Sequence, residues 1–88
     1  MTAVEKQLLD NPPICPNCDT QTWWNFDMMG PGIWHLHCSN CHIEIHGNYV
    51  DEITKQFNLH HKPYTCIFMR YKKIDMIIEN GAKIKEEH

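Results

Sequence analysis

Two pairs of cysteines constrain this chain more than anything else in it. Cys15-Pro16-Asn17-Cys18 and Cys38-Ser39-Asn40-Cys41 share a CxxC spacing, and 19 residues separate the pairs. That arrangement reads as a structural zinc site. The reason is geometric. Zn²⁺ takes four thiolates in a tetrahedron at about 2.3 Å, and a two-residue gap lets one tight turn aim both sulfurs at one ion. Two such turns supply every ligand and leave no position for water, so a site of this kind holds a fold and hydrolyses nothing. Cys15, Cys18, Cys38 and Cys41 are therefore the expected ligands of one structural Zn²⁺. The competing reading is a pair of disulfides in a secreted mini-protein. It fits less well, because the chain opens at Met1 without an apolar signal segment and Cys66 is left over.

With 88 residues, a single domain spanning 1–88 is the expectation. A core of that size is thin, and small scaffolds usually need a staple, which a zinc site can be for the N-terminal half. No apolar run approaches the length of a membrane span. The polar N-terminus and the unpaired Cys66 fit a reducing compartment, so a cytoplasmic protein is expected, in the host cytoplasm if the chain is viral. There are 8 basic and 11 acidic residues, for a net charge of -3. That balance argues against gripping nucleic acid mainly through its phosphates, which needs clustered Lys and Arg.

Along the chain, residues 1–13 form a lead-in. Val4, Leu8 and Leu9 could make one helical stripe, ended by Asn11-Pro12-Pro13. The ribbon follows over 14–47. Its first metal turn, or knuckle, covers 14–19. A strand is expected over 20–26, a Gly- and Pro-punctuated turn over 27–32, and a second, antiparallel strand over 33–38. In that second strand Ile33, His35 and His37 share one face, and Trp34 and Leu36 the other. After the second knuckle, residues 43–46 alternate again as a third strand, ended by Gly47. The period then changes. Val50, Ile53 and Phe57 fall at helical spacing, so a helix is expected over 48–60, capped by Asn48 with Asp51 and Glu52 near its positive end. Pro63 closes it. Residues 64–85 read as strands. Asn80-Gly81 between apolar alternations predicts a hairpin with a primed turn. The competing reading is a helix over 72–79, with Ile74, Ile77 and Ile78 on one face and Gly81 as its stop. The fold class is thus α+β and zinc-dependent: a three-stranded antiparallel zinc ribbon, a helix, and a C-terminal β-hairpin.

Other residues carry weaker signals. His35, His37, His42 and His46 surround the knuckles, and His35 and His37 are close enough along one strand face to share an ion. With four better ligands present, solvated or supporting histidines are the simpler reading. His60-His61 reads as a polar helix terminus. Cys66, between Thr65 and Ile67-Phe68, reads as an inert core thiol. Adjacent Trp23 and Trp24 must point to opposite faces. One of them is exposed unless the tail covers it, and an exposed Trp suits protein hot spots or base stacking. The candidate binding surface is Trp23, Trp24 and Trp34 with the basic residues Arg70, Lys72 and Lys73.

The segment from Ile14 to Lys62 resembles the Lar-like restriction-alleviation zinc ribbons of phages, prophages and bacteria. Ile14-Cys15-Pro16-Asn17-Cys18 resembles that family's CPxC opening. Ile33-Trp34-His35-Leu36-His37-Cys38-Ser39-Asn40-Cys41 resembles its aromatic strand running into the second CxxC. Gly47 follows the third strand, and the helix ends in Phe57-Asn58 where the family commonly has Trp-Asn. The family usually carries Gly after each CxxC to allow a left-handed backbone; here those positions are Asp19 and His42. The resemblance covers roughly half the chain, and residues 63–88 have no counterpart in it. It implies a small, non-catalytic phage- or mobile-element protein that binds and modulates a host protein, with restriction as the theme. The alternative is a nucleic-acid-binding ribbon serving transcription or replication. An enzyme ranks last, because no acid–base pair or nucleophile set is apparent. A homodimer arises if the tail pairs with a second copy.

Overall fold

The computed structural model describes residues 2–28 and 32–86. Eight elements follow in order: α1 (Ala3–Asp10), β1 (Trp23–Asp27), β2 (Ile33–Cys38), β3 (Ile43–Gly47), α2 (Val50–Leu59), β4 (Thr65–Arg70), β5 (Lys73–Glu79) and β6 (Ala82–Glu86). The strands form one six-stranded mixed sheet in sequence order. β1, β2 and β3 are antiparallel neighbours, β4 runs parallel to β3, and β4, β5 and β6 continue as an antiparallel meander. The α+β class, the antiparallel β1–β3 strands and the C-terminal hairpin are present, and one feature of the expected architecture is corrected. The ribbon is not a separate three-stranded unit beside a hairpin, because β4 closes a β–α–β crossover through α2 and merges both halves into one sheet. A parallel pair requires such a crossover, and α2 with its flanking loops supplies it.

Alternation along each strand separates two faces. Leu36, Ile43, Ile45, Ile67 and Ile77 are buried on one side, where they join Ile53 and Phe57 of α2 in the core. α2 presents Val50, Ile53, Thr54 and Phe57 inward. Burying each of the large side chains stabilises the fold by about 1.5–3 kcal/mol before the entropy of ordering it is subtracted. Trp24 and Trp34 pack half-buried against the same cluster. The opposite face carries Trp23, His35, His37, Glu44, His46, Cys66 and Phe68, and among the described residues no helix covers it.

Several local expectations are corrected. Residues 20–22 do not extend β1. Their backbone bonds go to the first knuckle instead: Cys15 N–H donates to Thr20 O at 2.9 Å, Thr22 N–H to Pro13 O at 3.3 Å, and Ile14 bridges Gln21. α2 begins one residue later than Asn48 would place it. Tyr49 is the N-cap and makes no side-chain cap bond. Asn48 is used elsewhere: its Nδ2 donates to Gly32 O at 3.3 Å and its Oδ1 accepts from Tyr71 N–H at 3.1 Å, joining the start of β2 to the β4–β5 turn. The lead-in is a full helical segment, closed by a reciprocal Thr2–Glu5 capping box. Leu8 and Leu9 are half-buried, but Val4 is exposed and takes no part in a packed stripe. In the tail the hairpin is present and the helix over 72–79 is not. Asn80 (φ 49°) and Gly81 (φ 80°) both take left-handed backbone, as a primed turn demands. In the expected turn over 27–32, residues 29–31 lie outside the described residues.

Candidate metal centre

The two knuckles repeat one geometry. Asp19 N–H donates to Cys15 O at 2.8 Å, and His42 N–H donates to Cys38 O at 2.9 Å. Each turn then leaves through a left-handed residue, Asp19 at φ 55° and His42 at φ 57°. These are the positions after each CxxC, where glycine would be free of strain. Asp and His are among the non-glycine residues that reach this region most often. The second knuckle is tightened further, because Cys41 N–H points at Cys38 Sγ over 3.4 Å.

The turns bring four sulfurs together. Cys15 Sγ lies 3.7 Å from Cys41 Sγ, and Cys18 Sγ lies 3.6 Å from Cys38 Sγ. All four ligand atoms fall within 4.8 Å of one another, and none of the cysteines is in a disulfide. A tetrahedron with metal–sulfur bonds near 2.3 Å has edges of about 3.8 Å, so the cluster is already close to the size an ion would fill. Cys15, Cys38 and Cys41 are buried and Cys18 is half-buried, which leaves little room for a non-protein ligand. The cluster can hold a metal ion through these four residues.

The electrostatics point the same way. Hydrogen bonds from Thr20 and Asn40 hold the Cys18 thiol down at about 6. Burial, reinforced by neighbouring thiols, pushes Cys41 up to about 12 and raises Cys15 too. Four sulfurs this close cannot all carry charge unless a cation neutralises them. Ion uptake must therefore expel protons, and affinity falls as the pH falls.

Contacts from distant segments brace the knuckles. Tyr64 N–H donates to Cys41 O at 2.9 Å, and the Asn17 side chain donates to His61 O. The His42 ring stacks on Tyr64 at 5.2 Å. These clamps tie the segment after α2 to both metal turns. Nothing in the sequence signalled them, because they depend on where β4 starts.

Comparison with protein-family models, curated proteins and solved structures gave no match. The resemblance to Lar-like ribbons accordingly stands on the motif residues alone.

The candidate binding residues are scattered. Trp23 lies on the open face, 45% exposed, with its indole stacked on His37 at 4.3 Å and its Nε1–H donating to Ser39 Oγ at 2.8 Å. Trp24 and Trp34 face the helices, and Trp24 Nε1–H donates to Leu8 O at 2.9 Å. It is α1, not the tail, that covers Trp24. Arg70, Lys72 and Lys73 surround the β4–β5 turn, three strands away from β1, with Arg70 paired to Asp75 at 3.8 Å. Strand spacing alone puts them roughly 14 Å or more from Trp23. Cys66 is not a core thiol. Ile67 takes the core side of β4, so parity turns Cys66 to the open face, opposite Glu44. There it joins His35, His37 and His46. His35 and His37 lie on one face as expected, with ring centroids 5.8 Å apart, and His46 sits 4.2 Å from His35.

Proposed function

We propose that this chain is a non-catalytic binding module, stapled by Zn²⁺ at Cys15, Cys18, Cys38 and Cys41, that docks a protein partner on its open sheet face. The observation that carries this is Trp23. It is exposed, yet stacking on His37 and the bond to Ser39 already hold it in place. A pre-ordered Trp loses little entropy on binding, and Trp is over-represented where binding energy concentrates. The net charge of -3 favours a protein over a polyanion. Zinc suits the ligand set because thiolates are soft donors and four of them complete a closed tetrahedron. The closed set also argues against hydrolysis at this ion.

The finer reading follows the Lar-like resemblance: a phage- or mobile-element protein that binds a host enzyme and relieves restriction. Expression in a restricting bacterium tests it. The chain should raise the plating of unmodified phage, Trp23→Ala should abolish the gain, and a strain without the restriction system should show no effect. Equal plating with and without the chain would contradict the restriction role.

A second reading has its own support. Tyr49, Tyr71, Arg70, Lys72 and Lys73 line one cleft at the β4–β5 turn, and Lys72 Nζ lies 5.7 Å from the Tyr49 ring centroid. Cations interleaved with rings suit single-stranded nucleic acid. Nanomolar binding to DNA or RNA that weakens steeply with salt would favour this reading over a protein partner.

A further inference from the structure

The open face holds a second group of ligand atoms that the four-cysteine cluster does not use. Glu44, His46 and Cys66 each offer one ligand atom, and the three atoms lie within 4.8 Å of one another. The sheet itself creates this proximity. Glu44 and Cys66 are register partners across the parallel β3–β4 pair, and His46 follows Glu44 by two residues on the same face.

The carboxylate of Glu44 is the hub. Its Oε2 lies 3.6 Å from His46 Nε2 and 3.9 Å from Cys66 Sγ, and its Oε1 takes His37 Nδ1 at 3.1 Å. A tetrahedral ion with bonds of about 2.0 Å to N and O and 2.3 Å to S separates its ligand atoms by about 3.3–3.5 Å. The two gaps from Glu44 need to contract by only a few tenths of an ångström, and His46 and Cys66 bring their ligand atoms within 4.8 Å of each other. The separation between Glu44 and His46 is too long for a hydrogen bond, and His46 Nε2 is buried without a hydrogen-bond partner. Its ring is held between His35 at 4.2 Å and Phe68 at 4.7 Å, so the nitrogen is fixed in direction. Desolvation keeps His46 towards its neutral, ligating form and lifts the Cys66 thiol to about 11, with the Glu44 carboxylate adding to the latter. A cation reverses that last penalty, since it stabilises the thiolate and satisfies the orphaned nitrogen together.

We infer that Glu44, His46 and Cys66 form a second metal site on the open face, suited to a zinc-class divalent transition ion. The mixed S, N and O donors select such an ion over Mg²⁺ or Ca²⁺, which prefer oxygen alone. Three protein ligands leave a fourth position open to water, because the Glu44 side chain is 46% exposed. His37 is a positioning residue: its bond to Oε1 orients the carboxylate as supporting residues do around metal sites. The site shares the open face and His37 with the docking surface proposed for Trp23, but metal uptake can be read without any partner.

Cobalt titration of the full chain tests this, followed by total metal analysis after zinc loading. The first equivalent should give the strong thiolate-to-cobalt bands of a tetrathiolate site. A second stoichiometric equivalent should add weaker bands from a single thiolate. Cys66→Ser and His46→Gln should each remove the second equivalent while keeping the first, which shows that the fold survives. His37→Phe should weaken the second equivalent about tenfold or more. His60→Ala with His61→Ala should change nothing. Saturation at one equivalent would overturn the inference. So would a second equivalent that persists in Cys66→Ser and His46→Gln, or one that vanishes with His60 and His61.

Discussion

At the residue scale, the two positions after the CxxC pairs show how local backbone shapes the candidate metal centre. His42 at φ 57° bears a side chain where glycine would fit without strain. Its ring stacks on exposed Tyr64, but the constraint is on the backbone. His42→Gly should therefore be tolerated, while His42→Val should cost about 1–2 kcal/mol, because a branched Cβ is poorly accommodated in the left-handed region. Denaturant unfolding of the metal-loaded variants checks this; equal losses for Gly and Val would mean the imidazole matters instead. This constraint was legible in the sequence, since CxxC turns fix what must follow them. Cys66 was not legible. Its neighbours Ile67 and Phe68 are both apolar, so the period-two signal that assigns a face is absent. Only the pairing of β4 with β3 decides that Ile67 enters the core and Cys66 leaves it.

At the scale of elements, the contact between α2 and β3 is set at Gly47. A Cβ there would stand 3.1 Å from Ile53 Cγ1 and 3.3 Å from Met69 Cβ. Gly47→Ala should force the helix and β4 apart slightly and destabilise the protein by about 1–3 kcal/mol, as overpacked cores do. Thermal unfolding against the parent chain measures it, and an unchanged midpoint would show that the interface has slack. The strands β2 and β3 and the hairpin at Asn80-Gly81 were readable because alternation and turn chemistry are local. The parallel β3–β4 pair was not, because it joins residues more than twenty positions apart through a helix. The Thr2–Glu5 capping box was readable in principle: Thr followed three residues later by Glu is its signature. The Asn48 cap failed because its side chain bonds Gly32 and Tyr71, partners that tertiary structure alone brings near.

At the scale of the whole molecule, the core is shared between the segments before and after α2. Ile67, Met69, Ile74 and Ile77 of the tail join Leu36, Ile43 and Ile45 in one buried cluster. The tail also reaches the metal turn through Tyr64 N–H on Cys41 O. Truncation after Lys62 should therefore expose β3 and the core and yield an aggregating or unfolded product. A truncated chain that stays soluble, folded and unchanged in mass by light scattering would show that the tail is a dispensable appendage. What the sequence conveyed at this scale was the need for a staple in a chain of 88 residues. The central claim is that the fold depends on an ion held by Cys15, Cys18, Cys38 and Cys41. The most direct test is the amide nuclear magnetic resonance spectrum of the full chain, recorded before chelation, after it, and after zinc is returned. Chelation should collapse the dispersed spectrum, and zinc should restore it, because metal binding and folding are one event in sites of this kind. A spectrum that stays dispersed and unchanged, in protein shown by elemental analysis to be free of metal, would contradict it.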